Sequence, residues 1–146
     1  TRLYLATRKL PFIAGILKHY NVVAAVVCHD GKYLCMQKGK TKFEYTSYKW
    51  EFPGGKIEPG ETPQQALARE LMEEMEYPVE VGEKLVTVNH EYPDFSITMT
   101  AFLCTPKGDA NGFKRREHAD SKWCSKDELM WLDWAAADVG VVASIL

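Results

Sequence analysis

Apolar residues recur along this chain at two distinct periods, and the changes of period mark its elements. In "NVVAAVVCHDGKYLCMQKGK" two apolar runs, residues 22–28 and 32–37, flank Asp30-Gly31. That dipeptide favours a tight reversal, so the segment predicts a β-hairpin. A polar and aromatic loop, "TKFEYTSYK", leads to a short strand "WEF" and a Gly-rich turn at Pro53-Gly54-Gly55. From Pro63 to Met75 the spacing predicts a helix. Thr62 serves as N-cap, Pro63 occupies the first helical position, and Gln65 completes a capping box. Ala68, Leu71, Met72 and Met75 fall on one side, the expected buried face.

Beyond the helix, "KLVTVNHEY" and "SITMTAFLCT" predict strands, the second alternating Ile97, Met99 and Ala101 with Thr98 and Thr100. "SKWCS" predicts a short strand, Ser125 with Glu128 forms a second capping box, and "ADVGVVASIL" predicts a closing helix. Strands of mixed direction with helices early and late imply an α/β fold, a mixed sheet covered on two faces. No repeat or linker interrupts the chain, so residues 21–146 read as one domain and residues 1–20 as an N-terminal extension of unknown role, either packed on it or foreign to it. The apolar run from Leu10 to Leu17 is broken by Pro11 and Gly15 and is too short to span a bilayer.

Composition narrows the functional classes. The chain has 146 residues, 46% hydrophobic and 26% charged, with a net charge of -2. Such a balance suits a globular domain and argues against a duplex nucleic acid partner, which calls for a basic face. Cys28, Cys35, Cys104 and Cys124 form no CxxC pair, so they read as buried small hydrophobes in a reducing, cytoplasmic setting.

One stretch, "GGKIEPGETPQQALARELMEEMEY", stands apart. Glu70, Glu73 and Glu74 lie at i, i+3 and i+4, hence on one face, where like charges repel. A solvated acidic surface is the bland reading. Against it, the acids are not interleaved with Lys, a glycine pair precedes them, and Glu58 and Glu61 add charge to the connecting loop. Clustered carboxylates suit a hard divalent cation, and Mg²⁺ is typically held by a few carboxylates together with substrate phosphates.

From Gly55 the chain reads G-x5-E-x7-R-E-L-x-E-E, with Glu61, Arg69, Glu70, Leu71, Glu73 and Glu74 at the fixed positions. This resembles the box of the Nudix hydrolases. "WEFPGGKIEPGETP", "EYPD", "EHADSKWCS" and "AAAD" extend the resemblance to the MutT-type, CTP-pyrophosphohydrolase-like branch across residues 21–146. The box normally ends in Gly at a left-handed helix cap; here Glu76 holds that position, ahead of Tyr77-Pro78. Pro78 biases Tyr77 away from helix and so allows a different helix ending; lower stability or an altered loop is expected, with the chemistry retained.

The resemblance implies a Nudix fold, a mixed sheet between helices, and a Mg²⁺-dependent enzyme, with Mn²⁺ as substitute. Its substrate would be a small-molecule nucleoside triphosphate, cut to monophosphate and pyrophosphate in nucleotide-pool sanitation. Oxidised purines such as 8-oxo-dGTP and CTP-like or modified pyrimidines are the two substrate types implied. By position, Glu70, Glu73 and Glu74 would be metal ligands, with the Gly54 carbonyl and Glu117. Arg69 would orient the carboxylates, Glu61 would be a supporting acid, and Glu74 and Glu117 compete as general base. Glu117 reads equally as a loop charge. Lys38 and Lys56 would contact phosphate, and Asp94, Phe95, Tyr92 and Asp138 would lie near the base. Asp138 has a rival reading as N-cap of the last helix. Phe43, Tyr45 and Tyr48 would line the mouth or simply pack, and His90 and His118 would transfer protons or be structural. Two other readings stay open: hydrolysis of a nucleotide sugar or dinucleoside polyphosphate, and a non-catalytic nucleotide-binding module.

Overall fold

The computed structural model describes residues 18–146. The expected extension lies outside the described residues except for Lys18–Tyr20, which open the first strand. That strand, β1 (Lys18–His29), begins four residues before the apolar run that predicted it. It extends because β6 (Phe95–Pro106) pairs with it in parallel from Lys18↔Phe95 onward. β2 (Lys32–Lys38) returns from β1 through Asp30 and Gly31, both at positive φ (53° and 73°), as the hairpin signal required.

The remaining strands are β3 (Trp50–Glu51), β4 (Gly54–Lys56), β5 (Val79–Glu91) and β7 (His118–Cys124). The mixed sheet runs β3-β2-β1-β6-β5, with β4 on β1 and β7 on β2. The glycine pair expected to form a turn is thus strand β4, in register Val23↔Gly55 and Ala24↔Gly54.

Helix α1 (Pro63–Met75) starts at Thr62 with both halves of the capping box formed. It packs on one face, where Val23, Ala25 and Val27 of β1 meet Ala66, Leu67, Leu71 and Met75. After α2 (Lys126–Leu129), helix α3 (Ala136–Ile145) covers the other face, where Ala24, Val26, Met99 and Ala101 meet Val141 and Val142. Alternation along β1 sends odd residues to α1 and even residues to α3, giving the expected helix–sheet–helix sandwich. The four cysteines are free thiols; Cys35, Cys104 and Cys124 are buried as expected, whereas Cys28 is only half-buried.

The buried face of α1 differs from the periodicity reading. Leu67, Leu71 and Met75 line it with Ala66, whereas Met72 is 48% exposed and Ala68 only half-buried. At about 100° per residue, Glu74 therefore falls within the buried stripe and Glu70 at its margin. The acids do not sit opposite the core; two of them face the sheet.

The helix ending also departs from expectation. Glu76 adopts the left-handed conformation, φ 49° and ψ 43°, with its amide bonded to Met72 O at 3.0 Å and the Tyr77 amide to Leu71 O at 3.2 Å. The glycine-type cap is kept with a glutamate in it.

Candidate active site

Arg69 organises the helix margin. Its Nε and Nη2 donate to Glu61 Oε2 and Oε1 at 2.6 and 2.9 Å, a bidentate pair. Nη2 also donates to the Lys56 carbonyl at 3.0 Å, tying β4 to α1. Nη1 donates to Glu70 at 3.3 Å and Glu73 at 3.2 Å. This guanidinium holds the Glu61 carboxyl below the usual carboxylate range and is itself made harder to deprotonate.

The two glycines of β4 are needed for close approach. A Cβ on Gly54 would lie 1.8 Å from Val23 O, and one on Gly55 would lie 1.7 Å from Glu70 Oε2. The backbone after Pro53 is thereby pressed between β1 and the Glu70 carboxylate.

Glu74 is the electrostatic centre. Burial pushes its carboxyl up to about 7, and Glu70, Glu117 and Glu51 push the same way, with His118 opposing. Burial also raises Glu70, against the pull of Arg69. Among the described residues, no three acidic, His or Cys side chains form a ready-made cage for an ion. Arg69 draws Glu70 and Glu73 to itself, and the Glu73 side chain is 60% exposed. Mg²⁺ needs no protein-only cage, since it keeps waters and takes phosphate oxygens. Hard oxygen donors around a half-buried, repelling acid fit such an ion.

Beside this cluster lies a cavity of about 710 Å³, lined among others by Lys38, Glu51, Gly54, Gly55, Lys56 and Asp138. That size suits a small-molecule ligand. Asp138 is not an N-cap; Ala135 holds that place and Asp138 sits within the first turn of α3. Its side chain is buried at 2% exposure, and Oδ1 accepts the Phe52 amide at 2.9 Å. Burial, then the Glu51 charge, raise it to about 8.

Tyr92, Asp94, Phe95 and Phe43 line the same cavity. The Tyr92 hydroxyl accepts the Ala137 amide at 3.1 Å, and Tyr45 OH donates to Asp94 Oδ2 at 2.8 Å. Tyr45 stacks on Phe43 at 5.2 Å, behind the lining, while Tyr48 is 55% exposed. Lys56 Nζ lies 4.4 Å above the Tyr20 ring. His90 packs edge-on against Tyr92 at 4.5 Å.

Glu117 precedes β7 on an exposed loop, which is longer-reaching than "SKWCS" suggested because β7 begins at His118. Its charge is felt at Glu74.

Sequence reasoning missed Glu51. Its Oε2 meets His118 Nε2 at 2.9 Å and its Oε1 lies 3.6 Å from Lys38 Nζ, with Lys38↔His118 paired across a bulged β2–β7 ladder. The available signal was an acid on a two-residue strand just before the glycines.

A model of the NUDIX domain matches residues 18–144. The chain is 34% identical over 131 residues to the CTP pyrophosphohydrolase of Escherichia coli strain K12, spanning 89% of this chain and 93% of that one. It is 41% identical over 88 residues to the 8-oxo-dGTP diphosphatase of Proteus vulgaris, spanning 60% and 78%. The solution structure of the E. coli ORF135 protein superposes with a TM-score of 0.74 at 32% identity, covering 88% and 89%. With the domain match over residues 18–144, and with Glu61, Glu70 and Glu73 of the box gathered by Arg69, the chain belongs to the NUDIX family.

Proposed function

We propose that this protein is a Mg²⁺-dependent pyrophosphohydrolase of nucleoside triphosphates, acting on CTP-like or oxidised purine nucleotides in pool sanitation. The coarser activity, hydrolysis of a nucleotide's phosphoanhydride bond, is supported by relatives named CTP pyrophosphohydrolase and 8-oxo-dGTP diphosphatase. The observation that carries the reading is the Glu70 carboxylate held against Gly55, a residue of the cavity wall, with the half-buried Glu74 close enough to feel its charge.

Glu70 and Glu74 would hold the ion, with the Gly54 carbonyl and Glu117 from the facing segments and Glu73 at the exposed margin. When bound, Mg²⁺ supplies neutralisation of the phosphate oxygens and a lower pKa for attacking water. The chain's own residues do the rest. Arg69 fixes Glu70 and Glu73 so that their oxygens need little reorganisation. Gly54 and Gly55 leave a side-chain-free wall along which a phosphate chain lies, and Lys38 and Lys56 present cations to it. Water adds to phosphorus, the bond to the bridging oxygen breaks, and pyrophosphate leaves with that electron pair. The water's proton passes to a carboxylate, Glu74 or Glu117.

At the deep end Asp138 is well placed to read the base. Its Oδ1 is committed to the Phe52 amide, and a raised pKa keeps the proton on the acid at neutral pH. The second oxygen then donates to an acceptor on the base edge.

A pyrophosphate-release screen over normal and oxidised triphosphates, with and without Mg²⁺, tests the reading. Turnover of a triphosphate only with Mg²⁺ supports it. Turnover of a nucleotide sugar or dinucleoside polyphosphate, with every triphosphate inert, would replace it.

A further inference from the structure

Glu76 occupies the left-handed cap where the resembling box carries glycine. A non-glycine residue there costs on the order of 1 kcal/mol, and conformational cost of this kind persists where the surroundings fix it. Here the surroundings are a single loop. Glu76 Oε1 lies 3.3 Å from Lys114 Nζ, and Oε2 pairs with Arg116 Nη2. Two further ties join the same partners: the Lys114 amide donates to Met75 O at 2.8 Å and Arg116 Nη1 to Glu73 O at 3.1 Å.

Exposed ion pairs taken singly contribute little, about 0–1 kcal/mol. This one is different in arrangement: one carboxylate takes two cations from one loop, beside two bonds that lock the loop to the last turn of α1. The next residue is Glu117. One further on, His118 enters β7 and its ring meets Glu51 at 2.9 Å. Glu117 is thus held from both sides, by the α1 terminus through Arg116 and by β3 through His118. Its charge reaches Glu74, two residues back along α1 from Glu76.

We propose that Glu76 is a positioning residue: by clamping Lys114 and Arg116 to the end of α1 it holds the loop that carries Glu117 beside the last turn of that helix, on which Glu74 lies. A glycine would relieve the helix cap and remove the carboxylate's hold on both cations, loosening a loop then tied only through Met75 O and Glu73 O. The role rests on the proposed function in that Glu117 acts as ligand or base.

The test is E76G beside E76Q, E117Q and the double variant E76G/E117Q. In E76G the thermal midpoint should be unchanged or higher, since the cap strain is gone, while kcat falls about tenfold, the size usual for supporting partners of ligands, with KM unchanged. E76Q should fall between. The double variant should be no slower than E117Q alone, because both act through one group. Hydrogen exchange at the Lys114 and His118 amides should accelerate in E76G while the α1 interior stays protected. Full kcat in E76G, multiplicative losses in the double variant, or unchanged exchange at both amides would each overturn the proposal. Inactivity of the unaltered chain on every triphosphate would count against the function, and exchange would still decide the clamp.

Discussion

A Cβ on residue 55 would stand 1.7 Å from Glu70 Oε2, so the glycine and the carboxylate share one space. The contact joins strand β4 to helix α1 at the point where a phosphate chain would pass. Gly55→Ala forces Glu70 off its position or β4 off β1. Because Arg69 holds both Glu70 and the Lys56 carbonyl, neither yields alone. Turnover should drop by about tenfold or more with circular dichroism unchanged. An active G55A would show that the Glu70 position is not needed.

Arg69→Lys keeps the charge and loses the fork. The bidentate pair to Glu61 and the bond to Lys56 O cannot both be made by a single ammonium. We expect kcat to fall roughly 10- to 100-fold, the range seen when partners behind ligands are removed. Steady-state kinetics of R69K against the unaltered chain checks this.

Stability should depend on pH with a definite sign. Glu74 and Asp138 both have raised folded-state pKa values, to about 7 and about 8. Between their ordinary values and these, the folded state binds more protons than the unfolded chain, so metal-free stability falls as pH rises. The thermal midpoint without metal should therefore drop from pH 5 to pH 8. E74Q and D138N should each flatten that slope, and D138N should melt higher than the unaltered chain at pH 8. Mg²⁺ should oppose the drop, most strongly above pH 7, where Glu74 is ionised. A midpoint that rises over this range would contradict the placement of both acids.

Most of the fold was legible in the residues. Both capping boxes, the Asp30-Gly31 hairpin and the apolar alternation of β6 are local signals, and each element formed where its signal lay. What failed was decided by contacts distant in sequence. Lys18–Tyr20 became strand because β6 lies alongside, and Gly54-Gly55 became strand because β1 accepts them. The buried face of α1 was misread because Met72 and Ala68 look as apolar as Leu67, and only the sheet shows that Glu74 points inward. Glu51 could not be singled out from one short strand; its partners, Lys38 and His118, lie on two others. The box acids and Arg69 were legible because their chemistry is written at helical spacing within one segment.

The most direct measurement is pyrophosphate release against Mg²⁺ concentration at pH 8, for the unaltered chain and for E74Q, with thermal melts of both. The unaltered chain should turn over a nucleoside triphosphate with saturable dependence on Mg²⁺. E74Q should lose roughly 10²-fold or more in kcat and remain folded, since the buried acid is replaced by its neutral isostere. Full Mg²⁺-dependent turnover in E74Q would contradict the assignment of the carboxylate cluster as the catalytic ion site.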